Sequence, residues 1–198
     1  MVFSCLSWDC VFYSAKFWRM AMDQDWEALT RMRRKNYAVQ DPDWIRSLLK
    51  KARYGVLATE AAGQPFAYPR LYVYDDNNAT DKFGVIFTHG AKAGRTWSNL
   101  QANARVCFNV CEMGELLPAK KAGDFNVNFD SVVVFGEMHP VTDDHQAERA
   151  LYLLLEKYFP QSKPELDYEA ITSEELQRTA VYRLEIKAWS GKTHARET

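Results

Sequence analysis

Six β-rich runs with no strand–helix–strand rhythm between them set the tightest limit on how this chain folds. Tyr54 to Thr59, Pro65 to Tyr74, the run opening at Phe83, Arg105 to Cys111, Ser131 to His139 and Thr179 to Lys187 each carry β-branched or aromatic residues between turn signals. In the last run Val181, Arg183, Glu185 and Lys187 alternate with Tyr182, Leu184 and Ile186, the period of a half-buried strand. EAAGQ joins the first two runs as a hairpin with Gly63 at the bend, and DDNNATDK is a polar turn before the third. Helical patterns lie between the strands. Asp41 followed by Pro42 starts one, in which Trp44, Ile45, Leu48, Leu49 and Ala52 form a single apolar stripe. Asp143 caps another, whose apolar face is Ala147, Ala150, Leu151, Leu154, Leu155 and Tyr158, and Pro160 stops it. The expected fold is mainly β with α: a small six-stranded antiparallel barrel with covering helices. About twenty residues separate the fourth and fifth strands, a length that points to function or an interface.

At 198 residues with 47% hydrophobic side chains, the chain supports one well-buried core and one domain. Its net charge of -1 gives no general drive toward nucleic acid or membrane surfaces. Cys5, Cys10, Cys107 and Cys111 form no CxxC pair and meet no paired histidines, so neither a metal site nor a disulfide framework is expected. Reduced thiols in a cytoplasmic protein are the default, with Cys107 and Cys111 as small buried hydrophobes on one strand face. The apolar, aromatic start MVFSCLSWDCVFYSAKFW is broken by Asp9 and Lys16, and it reads neither as a signal peptide nor as a membrane span. Residues 1 to 30 are read as an extension outside the domain of residues 31 to 198: either a helix packing on the barrel or a partner, or an artefact of an upstream start codon. MDQDWEALTRM looks like a short amphipathic helix, and Arg31, Arg33, Arg34 and Lys35 in and after it form a solvated basic face or, as the alternative, meet an anionic cofactor or substrate.

The most informative stretch for chemistry is Phe83 to Val106, FGVIFTHGAKAGRTWSNLQANARV, a strand that ends in a glycine-punctuated basic loop before a short helix. Gly90 and Gly94 let the backbone bend and approach a ligand, Lys92 and Arg95 bring cationic donors, and the helix N-terminus offers unpaired amides. Thr88 and Thr96 each add a hydroxyl. A phosphate matches all of these donors, and a plain solvated turn is the competing reading.

Ordered blocks surround this loop: MRRKNYAVQDPDWI, YGVLAT, PRLYVYD, FTHGAKAGRT, NARVCFNV, EMGELLPAKKAGDF, SVVVFGEMHPV and RTAVYRLEIKAWSGK. From about Met32 to Lys192 the chain resembles the FMN-binding split-barrel family related to pyridoxamine 5'-phosphate oxidase, and within it the nitroimidazole-resistance (Nim-like) branch. The resemblance implies that Pro69, Arg70, Leu71 and Tyr72 lay their backbone along the isoalloxazine edge, with packing as the alternative for Tyr72. Phe87 and Thr88 would meet the ribityl and phosphate, and Gly94 and Arg95 would hold the phosphate. Thr96 stands where the family usually has lysine, so one cation is missing, and Lys92 either replaces it or does not. Ser131 aligns with a flavin-contacting position, while Trp189 approaches either the ring or a dimer seam, or simply packs. His89 matches the histidine of the Nim-like HSAxxGRK pattern, and an unperturbed pKa near ~6.5 would let it donate a proton to a reduced product.

The resemblance thus implies an FMN-dependent oxidoreductase passing electrons from NAD(P)H to a small organic acceptor such as a nitroaromatic, working as a homodimer with FMN at the subunit interface. Asn126, Val127, Asn128, Phe129 and Asp130 depart from the basic, tyrosine-bearing stretch of relatives, which leaves substrate choice open. No arginine-rich terminal motif accompanies WSGK, against pyridoxamine-phosphate oxidase activity itself. Two other readings stand beside it: a non-enzymatic flavin or haem carrier or sensor, for which His89, His139 and His145 are possible axial ligands, and a cofactor-free interaction module.

Overall fold

The computed structural model describes residues 25–77 and 82–194. The extension of residues 1 to 30 falls mostly outside them, as do Cys5 and Cys10. Eight strands form one antiparallel sheet among the described residues: β1 (Ala38–Val39), β2 (Gly55–Ala61), β3 (Gln64–Arg70), β4 (Val73–Asp75), β5 (Val85–Ala91), β6 (Arg105–Leu117), β7 (Asn126–Pro140) and β8 (Thr179–His194). Their order is β3-β2-β6-β7-β8-β5-β4, with β1 on β8, so the sheet curls as a split barrel without closing. Among the described residues four α-helices cover it: α1 (Pro42–Lys51), α2 (Arg95–Ala102), α3 (Asp144–Tyr158) and α4 (Ser173–Arg178).

The expected mainly-β fold with helical covers is therefore present, with two strands more than six. The run from Pro65 to Tyr74 is two strands, because the chain leaves the β2 edge after Arg70 and joins β5 at Val73. The other addition is the two-residue β1. Most of the twenty-residue excursion is also strand: β6 and β7 continue as a hairpin arm, paired Met113↔Phe129 and Leu117↔Asn126, with one extra residue on β6 between Met113 and Leu116. Where MDQDWEALTRM suggested an amphipathic helix, the described part holds only a 3-10 turn at Ala28–Thr30.

Local chemistry explains the helices. Asp41 accepts from the Asp43 amide and Pro42 occupies the first turn of α1, while Asp143 accepts from the Gln146 amide to open α3. Thr172 and Glu175 form a reciprocal capping box on α4. Helix α1 buries Ile45, Leu48 and Leu49 against Leu57, Phe108, Val132 and Leu184 on the sheet. Helix α3 buries Ala147, Ala150 and Leu154 against Val73, Val85, Phe87 and Val181. Strand β5 is thus clamped on both faces from Val85 to Thr88, and His89 to Ala91 run on from that anchored stretch toward the surface. The core face of β6 is Val106, Phe108 and Val110, so alternation puts Cys107 and Cys111 on the opposite face, half-buried and exposed rather than buried.

Candidate functional site

The glycine-punctuated bend follows the end of β5 and leads into α2. Gly94 sits at φ +85°, a conformation that side chains rarely adopt, and a Cβ there would meet nothing within 4 Å, so the bend is open to a ligand. Gly94 is the N-cap of α2 and offers no side chain; Ser98 takes its carbonyl through both N–H and hydroxyl at 3.0 and 3.2 Å. Among the described residues the Arg95, Thr96 and Trp97 amides have no partner, the ordinary state of a helix N-terminus, which leaves them free to take an anion. Gly90 works differently from the expected hinge. Its φ is not positive, and its missing side chain makes room for the Arg70 guanidinium, 2.8 Å from where a Cβ would stand.

Helix α2 is held to the sheet by the buried Asn99, whose amide donates to the Thr59 hydroxyl at 2.9 Å. The exposed Arg95 guanidinium stacks 5.3 Å above Phe66 on β3, and among the described residues it has no ion-pair partner. Phe66 stacks on Tyr68, and Arg70 lies 5.9 Å over Tyr68. Residues 66, 68 and 70 share one face of β3, so a ladder of two aromatic rings spans the two arginines. The alternation FAYPR carried this signal in the sequence, although only Pro69 and Arg70 were singled out there.

Arg70 also donates through Nη1 to the His89 carbonyl at 2.7 Å, while its buried Nε finds no partner among the described residues. Its guanidinium is thus spent on bracing the end of β5 and stacking over the Tyr68 and Tyr182 rings, and the exposed Arg95 is the cation left open beside the α2 N-terminus. The Thr88 hydroxyl is fully buried and donates to the Leu71 carbonyl at 2.8 Å, joining β5 to the β3–β4 crossing. Phe87 faces the α3 core. Tyr72 is fully buried too: its hydroxyl donates to the Leu49 carbonyl, and its backbone N–H and C=O are both taken by the Tyr158 hydroxyl at 3.0 Å. Its side chain packs, the alternative the sequence allowed. Leu71 is half exposed and Pro69 is exposed on the edge strand.

His89 stands exposed at the strand end, where partial burial and then the positive Arg70 pull its imidazole below the ordinary 6.5. The unperturbed histidine expected from sequence is thus shifted toward its neutral form, because burial first and the neighbouring Arg70 cation second disfavour its charge. It borders a cavity of about 480 Å³ walled by Leu71 and by Leu151, Leu155 and Tyr158 of α3. Nothing in the sequence linked these α3 residues to His89; the pairing of β5 with β8 and the cover of α3 bring them together.

The other anticipated residues divide. Lys92 donates from Nζ to the Gln177 carbonyl at 2.5 Å, which ties its amine to α4. Thr96 is half-buried in the first turn of α2. Ser131 and Trp189 lie elsewhere in the single chain. Ser131 pairs with Lys192 on β8, and Trp189 packs edge-on against Phe83 at 4.9 Å under the Arg46 guanidinium, beside α1. Among the described residues no helix is long and apolar enough to cross a membrane.

Known proteins share this architecture. The flavocytochrome Anf3 from Azotobacter vinelandii matches with a TM-score of 0.71 at 23% identity, over 84% of this chain and 73% of that one. The FAD and haem binding protein from Mycobacterium smegmatis matches at 0.69 and 20% identity, over 79% and 73%. A candidate 5-nitroimidazole antibiotic resistance protein from Bacteroides thetaiotaomicron matches at 0.63 and 17% identity, over 79% and 86%. At these identities the likeness is one of fold. No curated protein matches the chain. The family model described as pyridoxamine 5'-phosphate oxidase covers residues 41–193, from the cap of α1 to the end of β8, and the chain belongs to that family.

Proposed function

We propose that this protein is an FMN-dependent oxidoreductase of the Nim-like kind, passing electrons from NAD(P)H to a small organic acceptor such as a nitroaromatic. The observation that carries the reading is the open, uncapped N-terminus of α2 at Gly94, flanked by an Arg95 with no ion-pair partner among the described residues. Such a cradle suits a phosphate monoester better than a ring alone. The relatives named for flavin or for nitroimidazole resistance support the ring and the acceptor class. When bound, FMN supplies hydride acceptance and release, oxidising NAD(P)H to NAD(P)+ and reducing the acceptor.

The protein's own groups do the rest. Arg95 and the first-turn amides of α2 hold the phosphate, and Arg70 braces the strand end through the His89 carbonyl. His89, mostly neutral, presents one ring N–H and one bare ring nitrogen, so it relays a proton from solvent to the reduced acceptor rather than storing one. Ser131 and Trp189 reach a flavin only if a second copy supplies them, which fits a homodimer with the cofactor between subunits. We place the reaction in the cytoplasm, where NAD(P)H is at hand and the exposed Cys111 stays reduced.

Steady-state oxidation of NAD(P)H by the FMN-loaded protein with a nitroimidazole acceptor tests the reading. Wild type turns over, and His89→Ala keeps its flavin but slows turnover about a hundredfold. Absence of acceptor-dependent NAD(P)H consumption in the wild type contradicts it.

A further inference from the structure

The cavity beside His89 differs in character from the anion cradle. At about 480 Å³ it has the size of a site for a one- or two-ring molecule. Leu71, Leu155, Phe159 and Ile171 make its walls apolar, and its acidic lining is Glu169 and Glu175 beside the Tyr158 and Tyr168 phenols, with no lysine or arginine. Of the basic residues around it, Lys157 has an amine without a hydrogen-bond partner among the described residues but turns it over the Tyr72 ring at 3.8 Å rather than into the lining, and three others are engaged. Arg70 is taken by the His89 carbonyl and the Tyr68 and Tyr182 rings, Lys92 by the Gln177 carbonyl, and Arg178 pairs with Glu175 at 3.7 Å. An anion entering would lose its hydration to an apolar wall with no cation in the lining and would face the exposed Glu169 carboxylate, Glu175 being already held by Thr172 and Arg178, a cost that a neutral or cationic guest escapes.

We infer that this cavity binds a neutral or cationic, largely apolar molecule of one or two rings and rejects phosphate- and carboxylate-bearing ones. Its catalytic meaning rests on the flavin reading, since it then defines the class of acceptor; the binding itself does not. One protein therefore carries two sites of opposite selectivity joined at His89: a basic one for the nucleotide phosphate and an acid-rimmed apolar one for the substrate.

Tryptophan-fluorescence titration of the full chain with a matched pair, 2-naphthol and 2-naphthoate, tests the inference. The neutral probe binds at least about tenfold more tightly than the anion. Glu169→Lys, at an exposed position, narrows that gap by strengthening naphthoate binding. Ile171→Trp fills the cavity and abolishes naphthol binding, and both variants keep wild-type FMN affinity. Equal or reversed affinities overturn the inference. So does mole-for-mole displacement of naphthol by FMN, which would make the cavity the flavin ring's own seat, or a Soret band lost in His89→Ala, which would make it a haem site. Naphthol binding in a protein that binds no FMN would sink the flavin reading and leave the cavity assignment intact.

Discussion

Lys157 shows how one residue's surroundings set its charge. Its amine lies 3.8 Å above the Tyr72 ring, finds no hydrogen-bond partner among the described residues, and is brought by burial from an ordinary 10.5 to about 8. Between pH 8 and 10.5 the unfolded chain binds more protons at this site than the folded one, so stability rises with pH across that window and the penalty is fully felt below it. The cation–π contact with Tyr72 offsets part of that penalty. Lys157→Met is expected to raise Tm at pH 7 by about 2–4 °C, with the gain shrinking toward pH 10.5; a lower Tm at pH 7 would mean the ring contact outweighs desolvation. The periodicity of α3 could not announce this, because its apolar stripe ends at Tyr158 while Lys157 folds back over a ring from the β3–β4 crossing. Residue-scale roles at the site were legible only in part for the same reason. Gly94 and Arg95 declared themselves through local composition, whereas the depressed His89 and the buried backbone of Tyr72 depend on Arg70 and Tyr158, 19 and 86 residues away.

At the scale of elements, the joint between β7 and β8 is the most exacting. Phe135 pairs with Ala188 and Gly136 with Ile186, so Lys187 is an extra residue that bends β8. A Cβ on Gly136 would lie 2.0 Å from the Glu185 carbonyl oxygen. Gly136→Ala is therefore expected to cost about 3 kcal/mol in urea unfolding, while Gly123→Ala, with nothing within 4 Å, stays under ~0.5 kcal/mol; equal stability of the two would refute the close packing. Elements with strong local rules were legible: α1 and α3 from their caps and apolar stripes, β8 from its alternation, and β5 as an apolar run ending at a glycine-punctuated loop. Thr172 and Glu175 held the capping-box signal for α4, which went unread in a short polar stretch. The outer arm of β6 and β7 was taken for an excursion because PAKKAGDF reads as loop, and its strand character comes from pairing with a partner strand rather than from propensity.

Across the whole molecule, apolar surface is left over. Tyr54, Tyr68, Met113, Leu116, Phe125 and Phe159 are each more than half exposed, and β3 is an edge strand exposed on both faces. The proposed homodimer would cover aromatic surface of this kind and could bring Ser131 and Trp189 of a second copy to the Gly94 bend. Sedimentation at micromolar concentration is expected to give twice the 22.9 kDa chain mass, and a monomer alone would remove the interface from the account. The central claim is narrower: the bend at Gly94 and Arg95 grips a phosphate. Its most direct measurement is a parallel titration with FMN and riboflavin, which differ by that phosphate alone. Wild type should prefer FMN by at least about tenfold, and Arg95→Ala should erase most of the preference while riboflavin affinity stays put; equal affinity of the wild type for the two would contradict the account.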